Sequence, residues 1–136
     1  MKRLTREWVR KAEMDWAIAQ QSARSGEPLH DGVCFHCQQC AEKYLKALLE
    51  ELGLTIPRTH NLDDLLNFLS PHQRSLRAMR RGLIFLTDFA VDTRYPGRNA
   101  SKRQASAALR WAEKVRSAAG HLLGTGVSPL RRSTNS

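Results

Sequence analysis

Long stretches with helical periodicity alternate along the chain with short stretches rich in turn formers. From residue 5 to about residue 25, Trp8, Val9, Ala12, Trp16, Ala19 and Ala23 recur at three- and four-residue steps, the spacing that lines one face of an α-helix. Thr5 is placed to cap the start of this helix, and Gly26 and Pro28 to end it. A second helix is predicted from about residue 31 to 52, where Val33, Cys37, Cys40, Ala41, Tyr44, Leu45, Leu48 and Leu52 share a face and Gly53 supplies a stop. In the connector TIPRTHN, Pro57 pushes Ile56 towards extended geometry. Asn61 followed by Asp64 resembles a capping pair for a short helix over residues 62–69. Ser70 and Pro71 break that helix. Leu76, Met79, Leu83, Leu86 and Ala90 then predict a third long helix with Gly82 as its weak point. DTRYPGRNAS is a second loop. Ala105, Ala108, Leu109, Ala112, Val115, Ala119 and Leu122 predict a last helix from about residue 101 to 123.

No run alternates apolar and polar residues between turn formers, so strands do not compete with this reading. The expected fold is all-α, an antiparallel up-down bundle of four long helices plus one short helix. Residues 1–123 are expected to form the bundle. Residues 124–136, GTGVSPLRRSTNS, have no periodicity and are expected to be a disordered basic tail.

Composition narrows the picture modestly. A 41% hydrophobic content over 136 residues supports one domain with a real core. Charged residues interrupt the N-terminal apolar positions, and no apolar run approaches the roughly 20 residues of a membrane helix. Neither a signal peptide nor a membrane association is expected. Three cysteines in one stretch are no disulfide framework, which points to a reducing cytoplasm. The net charge of +9, with 16 Arg against 6 Lys, favours an anionic partner over a merely soluble surface, because the guanidinium fork binds oxyanions in pairs of hydrogen bonds.

All three cysteines lie in CFHCQQC, residues 34–40, at a C-x2-C-x2-C spacing that suggests metal. The spacing falls inside a helical pattern, where Cys34 and Cys40 point about 120° apart with Cys37 between them. Sulfurs spread over that arc do not converge, so packing of small buried side chains is expected ahead of a metal site or a redox sensor. No metal and no cofactor are expected.

FHCQQCAEKYLKALLEELGLTIPRTHNLDDLL, followed some thirty residues later by DTRYPG, resembles the HEPN family of small prokaryotic helical domains. The second helix of that family reads much like F-H-x-Q-Q-x-A-E-K-x-x-K-A-L-L, its connector carries T-H-x-L, and its later loop T-R-Y-P. The resemblance covers most of residues 6–123. It implies a helical bundle that commonly dimerises and a function tied to nucleotides or RNA. It also implies a minimal nucleotidyltransferase as partner in a two-component, toxin–antitoxin-like pair. Some family branches are metal-independent ribonucleases marked by an Arg, four to six residues, then a His near the start of the last helix. Two such spacings occur here, Arg24 to His30 and Arg116 to His121, and about two are expected by chance. Neither lies where the family places the motif. Arg116 and His121 are weak catalytic candidates, and whether the chain is an enzyme stays open.

Three binding candidates remain. Gln39, Glu42, Lys43 and Lys46 share a helix face, either as a ligand surface or as a solvated stripe with a Glu42–Lys46 pair. The loops holding Arg58, Thr59 and His60, and Thr93, Arg94 and Tyr95, offer groups that grip phosphate and stack on bases, or else tie down helix ends. Arg94, Arg98, Lys102 and Arg103 cluster before and at the start of the last helix, where cations oppose the macrodipole. Arg74, Arg77 and Arg81 form a further stripe. The expected ligand is a nucleotide or RNA held by His60, Arg94 and Tyr95, with Lys43 and Arg98 in support. A homodimer is expected because Trp16 and Trp111 sit on helical faces that a small bundle is not expected to cover fully. Two other readings are a ribonuclease toxin and a non-catalytic module for an acidic protein partner.

Overall fold

The computed structural model describes residues 1–91 and 95–124. Helix α1 spans Arg3–Ala23, α2 His30–Glu51, α3 Leu62–Leu69, α4 Arg80–Thr87 and α5 Lys102–Leu123. Short 3-10 helices, Arg74–Met79 and Asp88–Ala90, flank α4. No strand is present among the described residues. The all-α helical bundle follows.

Helix α2 is the hub and packs against α1, α3, α4 and α5. It forms an antiparallel hairpin with α1, closed at the far end by Lys2, whose backbone N–H and Nζ donate to Glu51 Oε1 and the Glu50 carbonyl, both at 3.0 Å. The α2 core face is apolar, with Val33, Cys34, Cys37, Ala41, Leu45 and Leu48 buried. Helix α3 begins where expected: the Asn61 side chain accepts from the backbone N–H groups of Asp63 and Asp64, stopping the chain from extending further as a loop. Ser101 caps α5 in a reciprocal box with Gln104, a signal present in the sequence as S-x-x-Q. Gly53 and Gly124 adopt left-handed φ of 72° and 69°, closing α2 and α5 as the glycine positions suggest.

Three local expectations are corrected. Thr5 is no cap: α1 starts at Arg3, and Thr5 is buried inside its first turn. The third long helix is broken into a 3-10 turn, the eight-residue α4 and another 3-10 turn. Apolar spacing of three or four residues fits either helix type, so the pattern could not separate them. Gly82 is no weak point. A Cβ there would lie 2.0 Å from Trp111 Cε3, so the missing side chain is what lets the indole of α5 lie against α4. Of the expected tail, only Gly124 is among the described residues.

Candidate ligand-binding site

Polar residues at inward helix positions must find partners, because an unpaired buried charge costs several kcal/mol. Three such groups surround α2. In the first, Glu13 of α1 accepts two hydrogen bonds from Arg116 of α5, at 2.7 and 2.8 Å, and a third from the Tyr44 hydroxyl. Burial alone would lower the Arg116 pKa, but its bonds to Glu13 outweigh that and raise it. Burial, then the bond to Glu13, pushes the Tyr44 phenol up. In the second group, Asp15 accepts from Lys43 Nζ at 2.5 Å and lies 2.8 Å from His36 Nδ1.

The third group reaches the surface. Glu42, 4% exposed, accepts from Lys46 Nζ at 3.0 Å and Gln38 Nε2 at 3.1 Å, and lies 2.9 Å from His60 Nδ1. Burial would raise the Glu42 carboxyl, but the bonds from His60, Lys46 and Gln38 hold it below its ordinary value. The ionised carboxylate only accepts, so His60 Nδ1 carries a proton and Nε2 is left as the ring's second functional atom. The His60 side chain is 72% exposed. Gln38 also donates to the His60 carbonyl at 3.1 Å, and Gln39 Nε2 donates to Gln38 Oε1 at 2.7 Å. The α2–α3 loop is thereby pinned from inside the bundle.

The expected stripe of Gln39, Glu42, Lys43 and Lys46 therefore divides. The i,i+4 pair of Glu42 and Lys46 is present, but buried rather than solvated, with Lys46 Nζ also 5.8 Å from the Trp8 ring centroid. Lys43 is committed to Asp15 on the side facing α1. Gln38, Glu13 and Asp15 were missed. Their signal was in the pattern: Asp15 falls on the stripe of Ala12, Trp16 and Ala19, and Gln38 on that of Cys34, Ala41 and Leu45.

The second loop meets the same face of α2. The backbone N–H of Ala100 donates to Asp31 Oδ1 at 2.7 Å. Offsets of seven and eleven residues place Asp31, Gln38 and Glu42 on one side of the helix, about 10–16 Å apart along its axis. Tyr95 and Arg98 are exposed in this loop, and Lys102 and Arg103 follow at the exposed start of α5. Arg94 lies outside the described residues. A cleft lined by Ser22, His30, His36 and Asn99 opens beside the Asp31 anchor. Arg116 and His121 are not brought together: Arg116 is buried against Glu13, while His121 is exposed and about 140° further round α5.

The three cysteines are free and fully buried. Burial, then the charge of Asp31, pushes the Cys34 thiol up to about 12, and burial raises Cys37 and Cys40 as well. Neutral thiols packed in a core fit the small-side-chain reading.

The HEPN domain family model matches residues 5–122. The chain belongs to the HEPN domain family. The crystal structure of ST0689, an archaeal HEPN homologue, superposes with a TM-score of 0.71 at 25% sequence identity, covering 90% of this chain and 98% of that one. No curated protein sequence matches the chain. HEPN membership carries a nucleotide- or RNA-related role at the level of the family. No helix among the described residues is long and apolar enough to cross a membrane.

Proposed function

We propose that this HEPN chain is a non-catalytic binding subunit for a phosphate-bearing ligand, a nucleotide or a short stretch of RNA. The observation that carries this reading is the anchoring of both motif loops to one face of α2, by Asp31 at one point and by Gln38 and Glu42 at the other. This anchoring supports a reading in which His60 and the Tyr95–Arg98 loop serve a common surface. The two anchor points lie too far apart along α2 for one phosphate and suit a nucleotide with its phosphate chain or linked nucleotides. In this reading His60, in its imidazolium form, donates from Nε2 to a phosphate oxygen, Arg98 and Arg94 bind others, and Tyr95, 61% exposed, stacks on a base. Lys43 supports the site indirectly, by holding Asp15 and through it His36.

The working unit is a homodimer acting beside a minimal nucleotidyltransferase in a toxin–antitoxin-like pair. Support for that partnership is the motif set of α2 and its two loops. The commitment of Arg116 to Glu13 weighs against a ribonuclease built on Arg116 and His121.

The test is titration of the purified protein with labelled RNA and with ATP at two salt concentrations. Binding should weaken steeply with salt. Arg98→Ala or Arg94→Ala should each cost about 1–3 kcal/mol of binding, as for a charged hydrogen bond, with the helical circular dichroism unchanged. Salt-independent binding, or full affinity in both variants, would remove the two loops from the site.

A further inference from the structure

A second surface shares no residue with those loops. Arg77, Ala78, Arg80, Arg81, Ile84 and Trp111 line a groove of about 490 Å³ between α4, the 3-10 turn before it, and α5. Among the described residues no carboxylate lines it. Arg80 is occupied, donating to Asp63 and to Asn67. Arg77 and Arg81 are exposed, and so is Lys114, whose Nζ lies over the Trp111 ring. Ile84 is 51% exposed among these cations. Ile84 thus gives the groove an apolar wall beside the exposed guanidinium groups of Arg77 and Arg81.

We propose that this groove docks an acidic segment of a partner protein that inserts an apolar side chain beside Ile84. The charge excess calls for carboxylates or phosphates. A second copy of this chain answers it poorly, because each copy brings the same cations and a net charge of +9. RNA answers the charge but not the shape. Base stacking needs an open aromatic face, and Trp111 has its indole against the backbone at Gly82, with Arg81 and Lys114 over the ring at 6.0 and 4.7 Å from its centroid. What the groove offers is an apolar wall inside a guanidinium rim, the Trp and Arg composition on which protein interfaces concentrate their binding energy. The proposal stands apart from the nucleotide reading and does not depend on it.

Fluorescence anisotropy on the full chain tests it. The probes are a labelled helical peptide rich in Glu with two leucines one turn apart, the same peptide with both leucines replaced by Gln, and a single-stranded RNA. The leucine peptide should bind roughly tenfold or more tightly than its Gln counterpart, the effect of burying about one leucine. Arg77→Glu and Ile84→Ser, both at exposed positions, should each abolish that preference while leaving the circular dichroism and RNA binding unchanged. Equal binding of the two peptides, failure of both to bind, or RNA binding lost in Arg77→Glu but untouched by Ile84→Ser would overturn the proposal; the last result would make this a nucleic-acid surface. Loss of RNA binding in the Arg98 variant alone would bear on the loop site and not on this groove.

Discussion

Two adjoining strips of α2, which meet at Gln38, are both buried and are held by different physics. On one, Cys34, Cys37, Ala41 and Leu45 fill space with small and aliphatic groups. On the other, Gln38, Glu42 and Lys46 are between 0% and 8% exposed and satisfy one another. The first side answers to volume, so a substitution that preserves volume is tolerated. The second answers to pairing, so even a substitution of good shape fails if it strands a charge. The second ends at His60, and so it orients a polar side chain at the surface.

The sharpest way to break this contrast is Glu42→Leu. It fills the site and leaves Lys46 buried without its carboxylate, so urea denaturation should show a loss of about 3–5 kcal/mol. Adding Lys46→Met should restore most of it, since the cost lies in the orphaned charge and not in the missing pair. If the double variant is as unstable as the single one, the polar side is held by shape after all.

Gly82→Ala probes the shape side alone. The new methyl collides with the Trp111 indole, and overpacking of this kind costs about 1–3 kcal/mol. Tryptophan fluorescence should shift with it. Gly26→Ala, with nothing within 4 Å of the added methyl, is the matched control and should leave both readings unchanged.

The contrast also explains what could be read from the sequence. The bounds of α3 follow from Asn61 and Pro71, and those of α5 from Ser101 and Gly124, because caps are local chemistry written in neighbouring residues. The cysteines could be placed from helical geometry alone. The third long helix was misjudged because the three- and four-residue spacing of Leu76, Met79 and Leu83 fits a 3-10 turn as well as an α-helix. The polar clusters were half legible. A charged residue on an apolar stripe, such as Asp15, announces that a partner exists, but the partner lies 28 residues away at Lys43, and only the fold brings the two together. The motif points to His60, whereas Glu42, the carboxylate that orients it, reads in the sequence equally as part of a ligand surface or of a solvated stripe.

A smaller effect follows from pH. The Glu42 carboxyl is held below its ordinary value in the folded chain, against about 4.3 when unfolded. Its stabilising contribution is therefore present above about pH 4.3 and lost as pH falls through the lowered folded value. Glu42→Gln should flatten that part of the acid stability curve. An unchanged acid limb would mean that the charge on Glu42 does not matter to its three donors.

The smallest expected effect on stability carries the most weight for function. His60 ends the polar side of α2 in solvent, with its side chain 72% exposed. Removing it takes one donor from Glu42 and leaves two, Lys46 and Gln38. His60→Ala should therefore cost no more than about 1 kcal/mol, the net worth of one hydrogen bond whose place water can take. Binding of RNA or ATP should nevertheless fall, because the imidazole is the only part of this network offered to a ligand. The two readings separate a binding role from a structural one. A variant that binds fully but unfolds early would make the THNL connector a clasp between α2 and α3, while a variant that folds normally and binds weakly would place the buried carboxylate of Glu42 in service of a surface histidine.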